Sequence, residues 1–412
     1  MVRLIRFEYR KNFVKPSILI AMLVFSLISV FKIYGIYSEN SLFARGRNVE
    51  QTTQIKQLYW DFYKDFGGEI TSDKIEQLLE LYRPIEAKTA DLTASTRTDD
   101  PDTYTGNVYT DYHFFRLCFV LPMEHDYMYQ SYADKVASAA QENRSFYQSV
   151  GNTYEYRKSA AIAESFSGRK IQEFAFTEMY QYYLHYDFSS FLALLLCVYG
   201  LVGVFVSEKE SEMDTLLLTT KYGGRKTVAV KLLSSALFVI GVCTWFWLFD
   251  FLAFSAVFGS FEDAEAPLYA IKSFADTPLN LTLGQYALLS GMVKTIGMLA
   301  LGVSVLLLSS LFKNALLPFA LSLAGAFGLI YWQGVFMDSG YLWAKVTNPF
   351  TLMVNREFFR KTEYVNLFGF PVPSYMTAML MAILWGIAFI VILVVTMRKS
   401  AVTGKEVPQN EV

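Results

Sequence analysis

The side chains that hold metals or attack bonds are few and scattered in this sequence. Three histidines (His113, His125, His185) and three cysteines (Cys118, Cys197, Cys243) stand in 412 residues. No HExxH or CxxC spacing joins them, so neither a zinc hydrolase nor a zinc ribbon or redox pair is written here. There is no GxxxxGK[ST] phosphate loop, no G-x-S-x-G elbow and no kinase motif set. Carboxylates are plentiful, but position along a chain marks none of them as an acid–base pair. The reading is a non-enzyme with no catalytic residue, no metal and no cofactor of its own.

Two charges stand apart because they lie deep in apolar runs: Asp250 and Lys294. At about 1.5 Å per helical residue, both fall roughly 27–30 Å from the same membrane face, on neighbouring runs. Charges in hydrocarbon pair with each other or line a path. An ion pair between them near the outer boundary is expected.

The densest charge lies at 207–226, SEKESEMDTLLLTTKYGGRK, with eight charged residues directly after nineteen that have none. Ser207 and Glu210 read as an S-x-x-E capping box that starts a new helix. Glu208, Glu210, Glu212 and Asp214 load its first turns and Lys221 its last, as the helix dipole favours. Met213, Leu216, Leu217 and Thr220 form a narrow apolar face, and Gly223-Gly224 ends the helix. Arg225, Lys226 and Lys231 then stand where the next apolar run begins.

The elements that position these residues are membrane spans. The chain is 53% hydrophobic and 18% charged, with a mean hydropathy of +0.28. The charge deficit is concentrated in long uncharged runs, as in a multi-spanning protein. A net charge of −2 suggests no nucleic acid. Six segments are long enough to cross a bilayer: 16–37, 188–206, 230–258, 281–312, 315–337 and 374–397. The first is read as an uncleaved span, since no small-residue cleavage site follows it. Lysines and arginines cluster before the first span, between the second and third, between the fourth and fifth, and after the sixth. That places both termini, including the tail 398–412, in the cytoplasm. The NREFFRK stretch at 355–361 falls outside in that scheme, against the trend.

The segment 38–187 between the first two spans reads as a mainly helical external domain. Ile55, Leu58, Tyr59, Phe62, Tyr63 and Phe66 follow helical spacing up to Gly67-Gly68. A second helix opens at Ser72 and is expected to end at Pro84. Longer helices are expected over 124–150 and 153–185. Their aromatic stripes read as the domain's own core.

This pattern resembles the permease subunit of an ATP-binding-cassette transporter of the type-2 exporter class. The likeness rests on a basic amphipathic N-terminal helix (1–15), a first span, a large external segment, and E-x-E-x-E…T-L-L-L-T…R…K between spans two and three. In that family this link carries a coupling helix, here 208–222, which docks on the ATPase subunit. The residues carried over are Glu208, Glu210, Glu212, Met213, Thr215, Leu216, Leu217, Arg225 and Lys231. Asn348-Pro349-Phe350 matches a family feature near re-entrant external helices, here within 338–373. Asp214 stands where the family often has Gly, and no Pro lies near Lys221–Gly224. The fold implied is all-α, with six transmembrane helices. The function implied is export of a hydrophobic or amphipathic molecule, such as a peptide or drug, across a bacterial plasma membrane. The implied partners are a separate ABC ATPase subunit that binds the ATP, and a second permease chain in a homodimer or paired heterodimer. The alternative is a membrane sensor or receptor that detects a ligand with its external domain.

Overall fold

A computed structural model describes residues 1–41, 49–90, 103–211, 213, 225–259, 262–336 and 341–403. Six helices are long and apolar enough to cross a membrane: Pro16–Asn40, Phe188–Glu210, Arg225–Phe258, Leu283–Leu311, Leu316–Phe336 and Ser374–Thr403. They are called spans one to six below. The chain is a multi-pass, all-α membrane protein, and the described residues contain only two short two-stranded sheets.

Span two is the axis of the bundle. Within the apolar windows, 72% of its residues are buried, against 22% for span one and 6% for span five. Its sequence is apolar on every side, which suits a helix surrounded by others. Gly200 makes that packing possible, because a Cβ there would stand 2.6 Å from the Phe238 ring of span three. Phe238 in turn stacks on Phe13 at 4.3 Å. The N-terminal helix, Val2–Phe13, is thereby seated against the bundle with Glu8, Asn12 and Phe13 buried. Its other face exposes Leu4 and Phe7.

The stretch between spans five and six folds into three short helices, Leu342–Thr347, Pro349–Met353 and Arg356–Arg360, then a hairpin of Tyr364–Leu367 and Phe370–Pro373. The residues 338–340 of the expected re-entrant segment lie outside the described residues. Asn348 caps the second helix by accepting from the Phe350 amide at 2.9 Å, and donates to the Leu329 carbonyl of span five at 2.9 Å. Pro349 and Leu352 press against Gly297 of span four. A Cβ at Gly297 would meet the Leu352 Cβ at 2.8 Å and the Pro349 carbonyl at 2.9 Å.

The domain between spans one and two is helical and built on rings. Tyr59, Phe115 and Phe119 are buried at its centre, with Phe62, Tyr63 and Phe66 packed around them. The aromatic stripes are its core, as expected. Two helix boundaries differ from the sequence reading. The helix Ser72–Ala90 runs through Pro84. That proline is exposed, so the carbonyl it leaves unbonded faces solvent and the break costs little. The expected helix over 153–185 is instead Thr153–Phe166, then Gly168 at φ 71°, then Glu178–Leu184. The left-handed turn at Gly168 stops the first helix.

This domain grips the loops of later spans. Tyr129 stacks on Tyr269 at 4.6 Å and donates to the Ala275 carbonyl at 2.9 Å. Arg169, buried between the Phe166 and Tyr269 rings, donates to the Thr277 carbonyl at 2.9 Å. Arg157 lies over the Phe370 ring of the hairpin at 4.3 Å.

Candidate functional site: a charged hub and an intramembrane cavity

Span two does not stop at Ser207. Its helix continues to Glu210, and the Ser211 amide bonds the Ser207 carbonyl at 3.3 Å. The expected capping box is therefore not formed. Ser207 lies inside the helix, whose turns need no new start there. The Ser211 hydroxyl instead folds back onto the Ser207 carbonyl at 2.8 Å.

The next three residues bind four elements together. Glu208 is buried and accepts from Lys231 of span three at 2.5 Å and from Lys11 of the N-terminal helix at 2.8 Å. Lys231, only 1% exposed, also donates to the Val204 carbonyl at 2.8 Å and lies over the Phe205 ring. Lys209 donates to the Ser310 carbonyl at the end of span four. Glu210 accepts from the Ala315 amide at 3.0 Å, supplying the acceptor that the start of span five needs. Glu208 is buried, so its charge needs compensation from within the chain.

Glu208 and Glu210 both make these contacts within the chain, Glu208 buried and Glu210 exposed. Of the other expected coupling residues, Met213 is exposed and Arg225 opens span three. Glu212, Thr215, Leu216 and Leu217 lie outside the described residues. Lys231, one of the carried-over bases, reaches the hub.

A second polar cluster lies inside the bundle, around a cavity of about 50 Å³. Its wall includes Tyr186, Ser189, Trp247, Asp250, Ser290 and Lys294. Asp250 and Lys294 both line this cavity. The expected ion pair between them is not made. Lys294 instead bonds Asp187 at 3.2 Å and the Tyr186 carbonyl at 3.4 Å. Asp187 also faces Arg356 at 3.6 Å. Asp187 precedes span two at this level and reaches the lysine first. Asp250 accepts the Ser29 hydroxyl of span one at 2.9 Å. Ser290 donates to Asn355 at 3.0 Å, and Asn355 donates back to the Ser290 carbonyl at 2.9 Å. This two-way bond fixes the segment beside Arg356 to span four.

Sequence reasoning missed Asp187 and Ser29. Asp187 carried a signal, an acid directly before a long uncharged run. Ser29 carried none.

No group of three or more metal-ligating side chains forms among the described residues. Compared with known protein families, curated proteins and solved structures, the chain matches none.

Proposed function

We propose that this chain is the permease subunit of an ABC exporter. It would form the path for a hydrophobic or amphipathic substrate, such as a peptide or drug, and be driven by ATP hydrolysis on a separate subunit. The observation that carries the reading is the hub at Glu208, Lys209 and Glu210. In sequence, residues 212–224 follow directly on this hub, which is tied to the N-terminal helix and to spans three, four and five. A partner that moves this segment would pull on all of them at once. Met213, exposed just beyond the hub, begins the apolar face that Leu216 and Leu217 continue in sequence. Amphipathic faces of this kind dock in grooves. The six spans and the basic clusters on one side support a plasma-membrane topology with both termini inside. Two copies of the chain would pair, each with an ATPase.

The test is recovery of an ABC ATPase with the purified permease. Burying a leucine side chain is worth about 1.5–3 kcal/mol. Leu216→Ala with Leu217→Ala is therefore expected to weaken the complex by roughly tenfold or more per site. The permease itself should remain folded in the membrane. Full ATPase recovery with the double variant, at normal expression, refutes the docking role. A membrane receptor would co-purify with no ATPase at all.

A further inference from the structure

We propose that Asp250 is an exchangeable proton site inside the membrane-spanning bundle. Asp250 is 4% exposed, and it makes no ion pair among the described residues; the nearby bases are engaged by Asp187 and Glu357. An ionised carboxylate in such a place is costly without a counter-charge. A bound proton removes that cost.

The surroundings suit both protonation states. Ser29 Oγ lies 2.9 Å from Asp250 Oδ1 and 2.9 Å from the Tyr186 hydroxyl. When the carboxyl is ionised, Tyr186 donates to Ser29 and Ser29 donates to Asp250. When it is protonated, the direction reverses: Asp250 donates to Ser29, and Ser29 to Tyr186. Hydroxyls donate and accept, so neither state leaves a buried group without a partner. A structural serine–aspartate bond needs no such relay and no adjoining space. Here the carboxyl also borders the cavity of about 50 Å³, enough for water to enter. The proton comes from bulk water and returns to it by that route, and only the carboxyl O–H bond forms and breaks.

The charged and titratable groups facing Asp250 come from each packed element. The helix Glu178–Leu184 and the link to span two bring Tyr183 and Tyr186, and span four brings Lys294, which Asp187 bonds. Cys243 lies on Asp250's own helix and lines the same cavity. Span one contributes Ser29, and its nearest base, Lys32, is exposed. Among the described residues, Lys294 is the one cation lining the cavity, and its ammonium is bonded to Asp187.

The inference does not depend on the export reading, and its test needs no ATPase. Infrared difference spectra of the full chain in lipid bilayers report a protonated carboxyl through its C=O stretch. In an Asp126→Asn background, which removes the buried titrating carboxyl of the domain between spans one and two, a band that titrates with pH is expected. It should be lost in Asp250→Asn and shifted in frequency in Ser29→Ala, which removes one of its hydrogen-bond partners. A band that persists in Asp250→Asn, or the absence of any titrating band, overturns the proposal. If Asp250→Asn is not recovered folded, an unshifted band in Ser29→Ala overturns it. Loss of the band on replacing choline chloride with sodium chloride at fixed pH also overturns it, because the site would then hold a metal cation.

Discussion

Replacing Glu208 with glutamine removes the one carboxylate that two lysines share. Lys231 is 1% exposed and would keep the Val204 carbonyl as its oxygen partner. Stripping the counter-charge from a buried ion costs about 3–5 kcal/mol. A loss of 3 kcal/mol already shifts the folding equilibrium more than a hundredfold. The Lys11 side chain is 38% exposed, so Lys11→Met should cost only about 0–1 kcal/mol. Removing both buried charges is a different perturbation. Glu208→Gln with Lys231→Met leaves no orphan ion, and such exchanges are often neutral or stabilising. The double variant should return to within about 1–2 kcal/mol of the parent. Equilibrium unfolding of the full chain in mixed micelles, followed by helical circular dichroism, measures all four proteins. Two results would each refute the reasoning: Lys11→Met as damaging as Glu208→Gln, or a double variant no more stable than Glu208→Gln.

Burial alone pushes the Asp126 carboxyl, in the domain between spans one and two, up to about 8. An unfolded aspartate loses its proton near pH 4 while the folded one keeps it, so this group's contribution to stability falls as pH rises from about 4 to 8 and then levels off. Asp126→Asn should therefore gain on the parent in thermal melts at pH 9 relative to pH 5, and an equal difference at both pH values refutes this. Gly297→Val drives a side chain into Leu352 and the Pro349 carbonyl and should cost about 1–3 kcal/mol of overpacking; parent-like stability in the same unfolding assay would show that the short helix yields freely. With the native cysteines replaced, Met128→Cys should react with a membrane-impermeant thiol reagent in intact cells, and Leu4→Cys only after permeabilisation. Both positions are exposed, and the reverse pattern inverts the proposed topology.

The spans were legible because uncharged runs of their length have few other uses in a sequence. All six helices overlap the expected segments, with their ends displaced by a few residues. Pro84 and Gly168 misled in opposite directions. The carbonyl that Pro84 orphans lies on an exposed face where water can reach it, so the helix runs on, whereas Gly168 takes the left-handed conformation that stops a helix. The hub was harder to read. Glu208 meets Lys231 across 23 residues and Lys11 across 197, and no local pattern announces either contact. Depth counting put Asp250 and Lys294 at a matching level because helical rise is nearly constant. It could not choose between Asp250 and Asp187 as the lysine's partner, since that depends on how the helices are rotated about their axes.

The grip of the first inter-span domain on later loops sets an order of assembly. Arg169 waits for Thr277, 108 residues downstream, and Arg157 for Gly369, 212 residues downstream. At roughly 5–20 residues per second of synthesis, those intervals are on the order of 5–20 and 10–40 seconds. Throughout the first interval, the domain has neither Tyr269 to cover Tyr129 nor the carbonyl that receives the Arg169 guanidinium. Helices of its own ring-built core form from local contacts, but the face that will hold the loops stays bare. The domain is thus among the first parts of the protein to be made and among the last to be finished, and it is the hairpin between spans five and six that supplies the last of these contacts.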